Sequence, residues 1–332
     1  MQSPPGGSVR RRDFVTAIIC LVSGLPFAVH AQQSTLVGYL GLTSMKADSY
    51  YLVPFRKALS DAGFDDGRNI NIEYLFAEGD VSRLPGLAAE LVRRNVAIIF
   101  TATTVSALAA KAATSTIPVV FAIGADPVRS GLVSSLNRPG GNLTGVSFFT
   151  NQMEAKRLGL LHEVAPKADL IAVLLNPNNP FFDNQLKDVD AASRALNLKV
   201  QIERAGNERD IVSVFKKFEQ LKAGALLVGA DPYFNSKRAL VIDPAINQRL
   251  PAIYEWREFA DAGGLMSYGT SLTEAYRQAG DVVVRILKGA KPAELPVLQS
   301  DKFEFLINLK TAKAIGLEVP MQLQQRATEF VE

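Results

Sequence analysis

The sequence predicts an α/β fold of two doubly wound, Rossmann-like lobes with a ligand cleft between them. Three observations predict it. Short apolar, β-branched runs alternate with amphipathic helical stretches from Thr35 onward, at spacings suited to right-handed crossovers between parallel strands. The alternation restarts after Ser147 with no low-complexity linker. The chain has 332 residues, too many for one ordinary core and about right for two. Hydrophobic residues make up 48% and charged residues 21%, which places the chain among globular proteins.

The first set of elements opens with a strand over 35–40 and a polar loop, Gly41 to Ser44. A helix over about 50–62 carries Leu52, Phe55 and Leu59 on one stripe and stops at Gly63. Ile70, Ile72 and Tyr74 alternate in a strand over 69–74. A helix over 82–94 and a buried strand over 96–100 follow. Thr101 to Thr104 then caps a helix to Ala113. Pro118 to Ala122 has the apolar, β-branched character of a buried parallel strand. Beyond it, Gly124 permits unusual backbone angles, and Asp126-Pro127 supplies an N-cap and an N1 proline for a helix over about 128–136. Arg138-Pro139-Gly140-Gly141-Asn142 forces a turn into a strand over 143–147.

The second set repeats the pattern. Helices are expected over 151–164, 182–196 and 208–221, and one more from the loop 229–235 to Gln248. Strands are expected over 170–175, 199–203, 225–228, 252–255 and 264–268. A long helix over 273–287 ends at Gly289.

The N-terminus reads as an export signal over 1–31. Arg10-Arg11-Arg12 precedes an apolar run from Phe14 to Val22, and Val29-His30-Ala31 is a small-residue cleavage site. Arg11-Arg12-Asp13-Phe14-Val15 fits a twin-arginine signal as well as an ordinary secretory one. The apolar run is too short to span a bilayer. Cys20, the sole cysteine, lies inside it, so the mature chain is expected to lack disulfides and thiolate metal sites. Removing Arg10, Arg11, Arg12 and Asp13 from 36 basic and 33 acidic side chains leaves 33 and 32. Near-neutrality gives no electrostatic footprint for nucleic acid.

Ligands of doubly wound sheets sit outside the carboxyl ends of the strands, where strand order reverses. The loops there supply the candidate binding residues. Ser44 lies in the first polar loop and Gly124 in the third. Thr103 and Thr104 suit either a plain N-cap or a ligand carboxylate held by hydroxyls and free N–H groups. Asp126 and Asp231, each before a proline, suit either helix capping or a ligand ammonium. Asn176 both donates and accepts, although turn chemistry alone would explain it. Tyr233, Phe234, Tyr254 and Tyr268 form a candidate aromatic wall. Glu255 ends an apolar strand, where a carboxylate needs a partner: a ligand ammonium or Arg257. Trp256 sits beside this site and is read as packing under the domain interface. His162 is the only histidine of the mature chain. No G-x-S-x-G elbow, H-E-x-x-H pair, P-loop or G-x-G-x-x-G accompanies it.

The run GADPVRSGLVSSLNRPGGNLTG, residues 124–145, resembles the signature segment of a bacterial family of ABC-importer substrate-binding proteins of the tryptophan/tyrosine transport type. AEGDVSRLPGLAAELVRRNV, LLVGADPYFNSKR and FEFLINLKTAKAIGL extend the resemblance from about Val37 to the end. It implies a type I periplasmic-binding fold whose chain crosses between lobes three times, near Phe148, Tyr268 and Ser300. Lobe 1 would hold 35–147 and 269–299, and lobe 2 would hold 148–268 and 300–332. It also implies permease and ATPase partners, no cofactor and no catalysis. The function expected is an exported, monomeric periplasmic receptor. It would close on a small carboxylate-bearing solute: an aromatic or branched apolar amino acid, or a related aromatic acid. The alternatives are an α/β enzyme or nucleotide-binding protein of the same architecture, or a repressor-type sensor, which would need a helix-turn-helix ahead of residue 36.

Overall fold

The structure, a computed structural model, describes residues 1–3, 34–148, 153–300 and 302–332. The expected export signal, with its twin arginines, Cys20 and cleavage site, lies outside the described residues apart from its first three. Ser34–Glu332 forms one compact unit, distinct from Met1–Gln33.

In the first sheet, β1 (Thr35–Gly41) is followed by α1 (Met45–Asp61) and β2 (Ile70–Phe76). Then come α2 (Leu84–Arg93), β3 (Ile98–Thr101), α3 (Thr104–Ala113), β4 (Val119–Ile123) and β5 (Leu143–Ser147). The second set opens with α4 (Glu154–Val164), β6 (Ile171–Leu175), α5 (Phe182–Ala195), β7 (Val200–Arg204), α6 (Glu208–Gln220) and β8 (Ala225–Val228). It continues through α7 (Pro232–Ser236), α8 (Arg238–Asn247), β9 (Ala252–Tyr254), α9 (Arg257–Asp261) and β10 (Met266–Thr270). The last elements are α10 (Leu272–Leu287), β11 (Leu298–Gln299), β12 (Phe303–Asn308), α11 (Leu309–Ile315), α12 (Met321–Arg326) and β13 (Glu329–Val331).

The first sheet has the order β11-β5-β4-β3-β1-β2 and the second β13-β12-β10-β9-β8-β6-β7. Pairing is parallel except between β10 and β12. Strand order therefore reverses at β1 in the first sheet and at β6 in the second, which puts a crevice at the carboxyl end of each. β10 extends to Thr270, two residues beyond the crossing expected at Tyr268.

Strand alternation divides the first lobe's core. Tyr39, Phe100, Val120, Ala122 and Val146 face α1 and α10, whereas Ile99, Phe121 and Ile123 face α2 and α3. Central strands β3, β4, β6 and β8 are buried throughout, which is why they read as apolar runs, and β5 is equally buried but carries Thr144 and Ser147, whose hydroxyls donate to the carbonyls of Leu295 and Ala125. α10 returns from the far end of the sequence to lie along α1 and against β3, β4 and β5. The approach is close: a Cβ on Gly280 would stand 2.7 Å from the Cβ of Ala58 and 2.9 Å from the carbonyl oxygen of Phe55.

Three expected elements differ. No helix forms over 128–136. Asp126 does cap a first turn, its Oδ1 accepting from the N–H of Val128 at 2.8 Å. Gly131 then turns left-handed at φ +71° and stops propagation. Leu132 and Val133 bury against the α2/α3 face instead. α1 starts five residues earlier than the period indicated, because Ser44 is its N-cap and accepts from the N–H of Ala47 at 3.3 Å. The loop expected over 229–235 carries a short helix, α7, capped by Asp231, and Lys237, whose φ of −111° is not helical, separates it from α8, the helix expected to run to Gln248.

Gly280→Val should overpack the α1–α10 contact and lower unfolding stability by roughly 2 kcal/mol. A urea midpoint equal to wild type would show that the two helices can separate without cost.

Candidate functional site

The two crevices face one another across a cavity of ≈ 170 Å³. From the first lobe, Tyr39 on β1, Asp48 and Tyr51 on α1, Thr103 and Thr104 at the start of α3, and Tyr276 on α10 line it. From the second come the Asn176–Phe181 loop after β6, the Ala230–Tyr233 loop after β8, then Asn235, Arg238 and Trp256. The walls meet directly: Asn235 Nδ2 donates to Tyr51 Oη at 2.8 Å.

The second-lobe wall is organised by Asp231, which is 4% exposed. Its Oδ1 accepts from Asn176 Nδ2 at 3.1 Å and from the N–H groups of Tyr233 and Phe234 at 2.9 and 3.2 Å. Its Oδ2 accepts from Asn179 Nδ2 at 2.8 Å. Burial pushes this carboxyl above its ordinary range, and these bonds pull it back. Behind it, both oxygens of Glu255 accept from the N–H of Asp231, at 2.9 and 3.0 Å. Burial drives Glu255 well up, opposed by the charge of Arg157. Arg157 pairs with Glu154 at 2.8 Å, both fully buried. Gln185 Nε2 donates to Glu154 at 3.3 Å and to the carbonyl of Ala230 at 2.8 Å. The loop bearing Asp231 is thus held from beneath by a buried polar layer.

The first-lobe wall centres on Asp48, in the first turn of α1. Tyr39 Oη donates to its Oδ2 at 2.7 Å and Thr43 Oγ1 to its Oδ1 at 2.5 Å. The hydroxyls of Tyr39 and Tyr276 are 3.3 Å apart, and the rings of Tyr51 and Tyr276 are 5.4 Å apart. Thr103 caps α3, accepting from the N–H of Ser106 at 3.2 Å. Thr103, Thr104 and Val105 line the cavity, so the start of α3 lies at it, and a helix N-terminus favours anions.

Six of the candidates drawn from the sequence line the cavity: Thr103, Thr104, Gly124, Asn176, Asp231 and Tyr233. Six are placed elsewhere. Ser44 caps α1. Asp126 caps its turn and borders a separate cavity of ≈ 240 Å³ with Arg129, Phe181 and Lys187. Phe234 is buried core. The ring of Tyr254 is stacked on Phe259 at 4.6 Å. Glu255 lies behind the wall, and Arg257 pairs with Asp261 and Glu329 rather than with it. Tyr268 stacks its ring against Phe303 at 6.2 Å, and only its carbonyl reaches the buried layer, 3.4 Å from Arg157 Nη1. Trp256, read from the sequence as packing alone, lines the cavity.

Asp48, Tyr39, Tyr51, Tyr276 and Arg238 were missed by strand-end reasoning. For Asp48 a signal exists: taking Ser44 as a cap instead of a loop residue puts Asp48 in the first turn of a helix that follows β1. Tyr276 has no local signal, since it reaches the cavity only because α10 packs on α1.

Comparison with known proteins places this geometry. The profile of the ABC transporter substrate binding protein family matches residues 47–331. A curated relative, the tyrosine-binding protein of Clostridioides difficile, is 29% identical over 264 residues, covering 80% of this chain and 76% of that protein. An ABC domain from Streptococcus pneumoniae, solved in complex with L-Trp, superposes with a TM-score of 0.80 at 24% identity, covering 90% of this chain and all of that one. A ligand-free, open substrate-binding protein with adhesive properties from Clostridium difficile gives 0.64 at 27% identity, covering 90% and 99%.

Glu258 on α9 provides a test of burial at this wall. It is 6% exposed, no side chain among the described residues donates to its carboxylate, and burial raises its pKa from 4.5 to about 7. A carboxyl raised on folding binds its proton more tightly in the native state. Its contribution is therefore full below about pH 4.5 and is lost as pH rises through 7. Glu258→Gln should match wild type near pH 4.5 and exceed it at pH 8 by roughly 1–3 kcal/mol in urea unfolding. Parallel pH–stability curves for the two proteins would refute this.

Proposed function

The chain belongs to the family of ABC transporter substrate binding proteins, and on that premise we propose that it is the periplasmic receptor of an importer for an aromatic amino acid. The observation that carries the reading is the cavity itself. It lies between two lobes, Tyr51, Tyr233, Tyr276 and Trp256 wall it, and polar groups from both lobes edge it. Aromatic rings offer a solute's ring large contact area and favourable tilted or stacked geometries. The start of α3, with Thr103 and Thr104, suits the solute's carboxylate. The names of two relatives, one tyrosine-binding and one solved with L-Trp, point the same way.

In this reading lobe 1 comprises 35–147 with 271–299, and lobe 2 comprises the rest of the unit from 148 on. A solute touching both walls favours the closed arrangement by its contacts with each, and the closed form is what a permease and its ATPase would engage. The protein changes nothing in the solute; it binds and releases it. Delivery to the periplasm rests on the export signal expected at 1–31.

Titration calorimetry and thermal shift of the mature protein against L-tyrosine, L-tryptophan and L-phenylalanine, with L-leucine and L-valine as aliphatic comparators, test the assignment. At a hundredfold excess over its dissociation constant the preferred aromatic compound should add roughly 2.7 kcal/mol of apparent stability. Flat responses to every aromatic compound, with a response to some aliphatic or sugar solute, would overturn it.

A further inference from the structure

Two carboxylates line the cavity, Asp231 and Asp48. They are not equivalent. Asp231 already accepts four hydrogen bonds, three on Oδ1 and one on Oδ2, which leaves one lone-pair site on Oδ2. Asp48 accepts two, both from neutral hydroxyls, and keeps two sites. It is 9% exposed, and among the described residues no Lys, Arg or His stands within ion-pair distance of it. A buried carboxylate without a counter-charge is costly. The start of α1 offsets part of that cost through the helix dipole, and a cation delivered into the cavity would offset more.

The surroundings fit such a cation. Tyr39, Tyr51 and Tyr276 stand around Asp48, presenting rings and hydroxyls that favour an ammonium group. Strands β1 and β3 are neighbours in the sheet, so the starts of α1 and α3 open side by side. One reads negative charge through its backbone amides, and the other carries Asp48. That pairing matches a carboxylate and an ammonium borne by one carbon atom.

We propose that Asp48 reads the α-ammonium group of the solute, so that the site selects α-amino acids over the deaminated aromatic acids of the same shape. This rests on the aromatic reading above and decides within it between amino acids and related aromatic acids. The ring then lies toward the second-lobe wall, and the amino-acid head stays on the first lobe.

The test pairs each amino acid with its deaminated analogue: L-tyrosine with 3-(4-hydroxyphenyl)propionate, and L-tryptophan with 3-(indol-3-yl)propionate. Calorimetry on the mature wild-type protein should show the preferred amino acid binding about 100-fold tighter than its analogue. Asp48→Asn should abolish most of that preference, weakening the amino acid by about 100-fold while the analogue binds as before or tighter. Two results overturn the proposal: equal wild-type affinity for both members of a pair, or equal losses for both in Asp48→Asn. The wild-type comparison stands even if the variant fails to fold. If neither compound binds wild type, the aromatic reading itself falls, and this proposal falls with it.

Discussion

The site depends on one constraint: a carboxylate sealed in the second lobe must be met by donors, and those donors come from different loops. Asp231 draws Asn176 and Asn179 from the loop after β6 and two amides from its own helix start. Because β6 and β8 are adjacent at the point where strand order reverses, those loops lie close enough to share one acceptor. Removing a partner from a buried charged group costs more than the bond is worth in water, so the arrangement is strongly specified.

Beneath that wall the charges are balanced locally. Arg157 and Glu154 pair inside the protein, Gln185 bridges Glu154 to the backbone of Ala230, and Glu255 is spent on the amide of Asp231. The first lobe is built differently. Its carboxylate, Asp48, is held by hydroxyls only, and its aromatic neighbours come from the adjacent β1, from α1 itself and from the distant α10. One wall is thus closed on itself chemically, while the other has capacity left over. The zwitterionic solute proposed above rests on that asymmetry, and the family to which the chain belongs is one of transporter substrate-binding proteins.

Strand-end loops were legible in the sequence because an apolar run followed by Gly, Asn, Asp or Pro marks where a parallel strand leaves the core. This located Thr103, Thr104, Gly124, Asn176, Asp231 and Tyr233, which line the cavity. Which way a side chain leaves such a loop was not legible. Tyr254 and Phe234 are apolar enough to serve either wall or core, and packing puts both inward. Glu255 sits near the cavity in sequence terms yet faces the layer behind it, and the ring of Tyr268 stacks on Phe303 instead. The helix expected over 128–136 had a sound N-cap, but its propagation depended on Gly131, and capping signals do not reveal where a helix fails.

By itself the sequence determined the α/β class, the alternation of elements and the loops from which a binding site would be drawn. These follow from local periodicity and turn chemistry, which each short stretch carries alone. The tertiary structure decided the rest. α10 lies on α1 because Gly280 leaves room for Ala58, and so Tyr276 reaches Asp48's neighbourhood from more than two hundred residues away. Lone-pair occupancy, which distinguishes Asp48 from Asp231, is likewise a property of assembled neighbours. Asp48 meets donors from its own stretch of chain, Tyr39 and Thr43, but no window around Asp231 contains Asn176 and Asn179, which reach it only once β6 and β8 lie side by side.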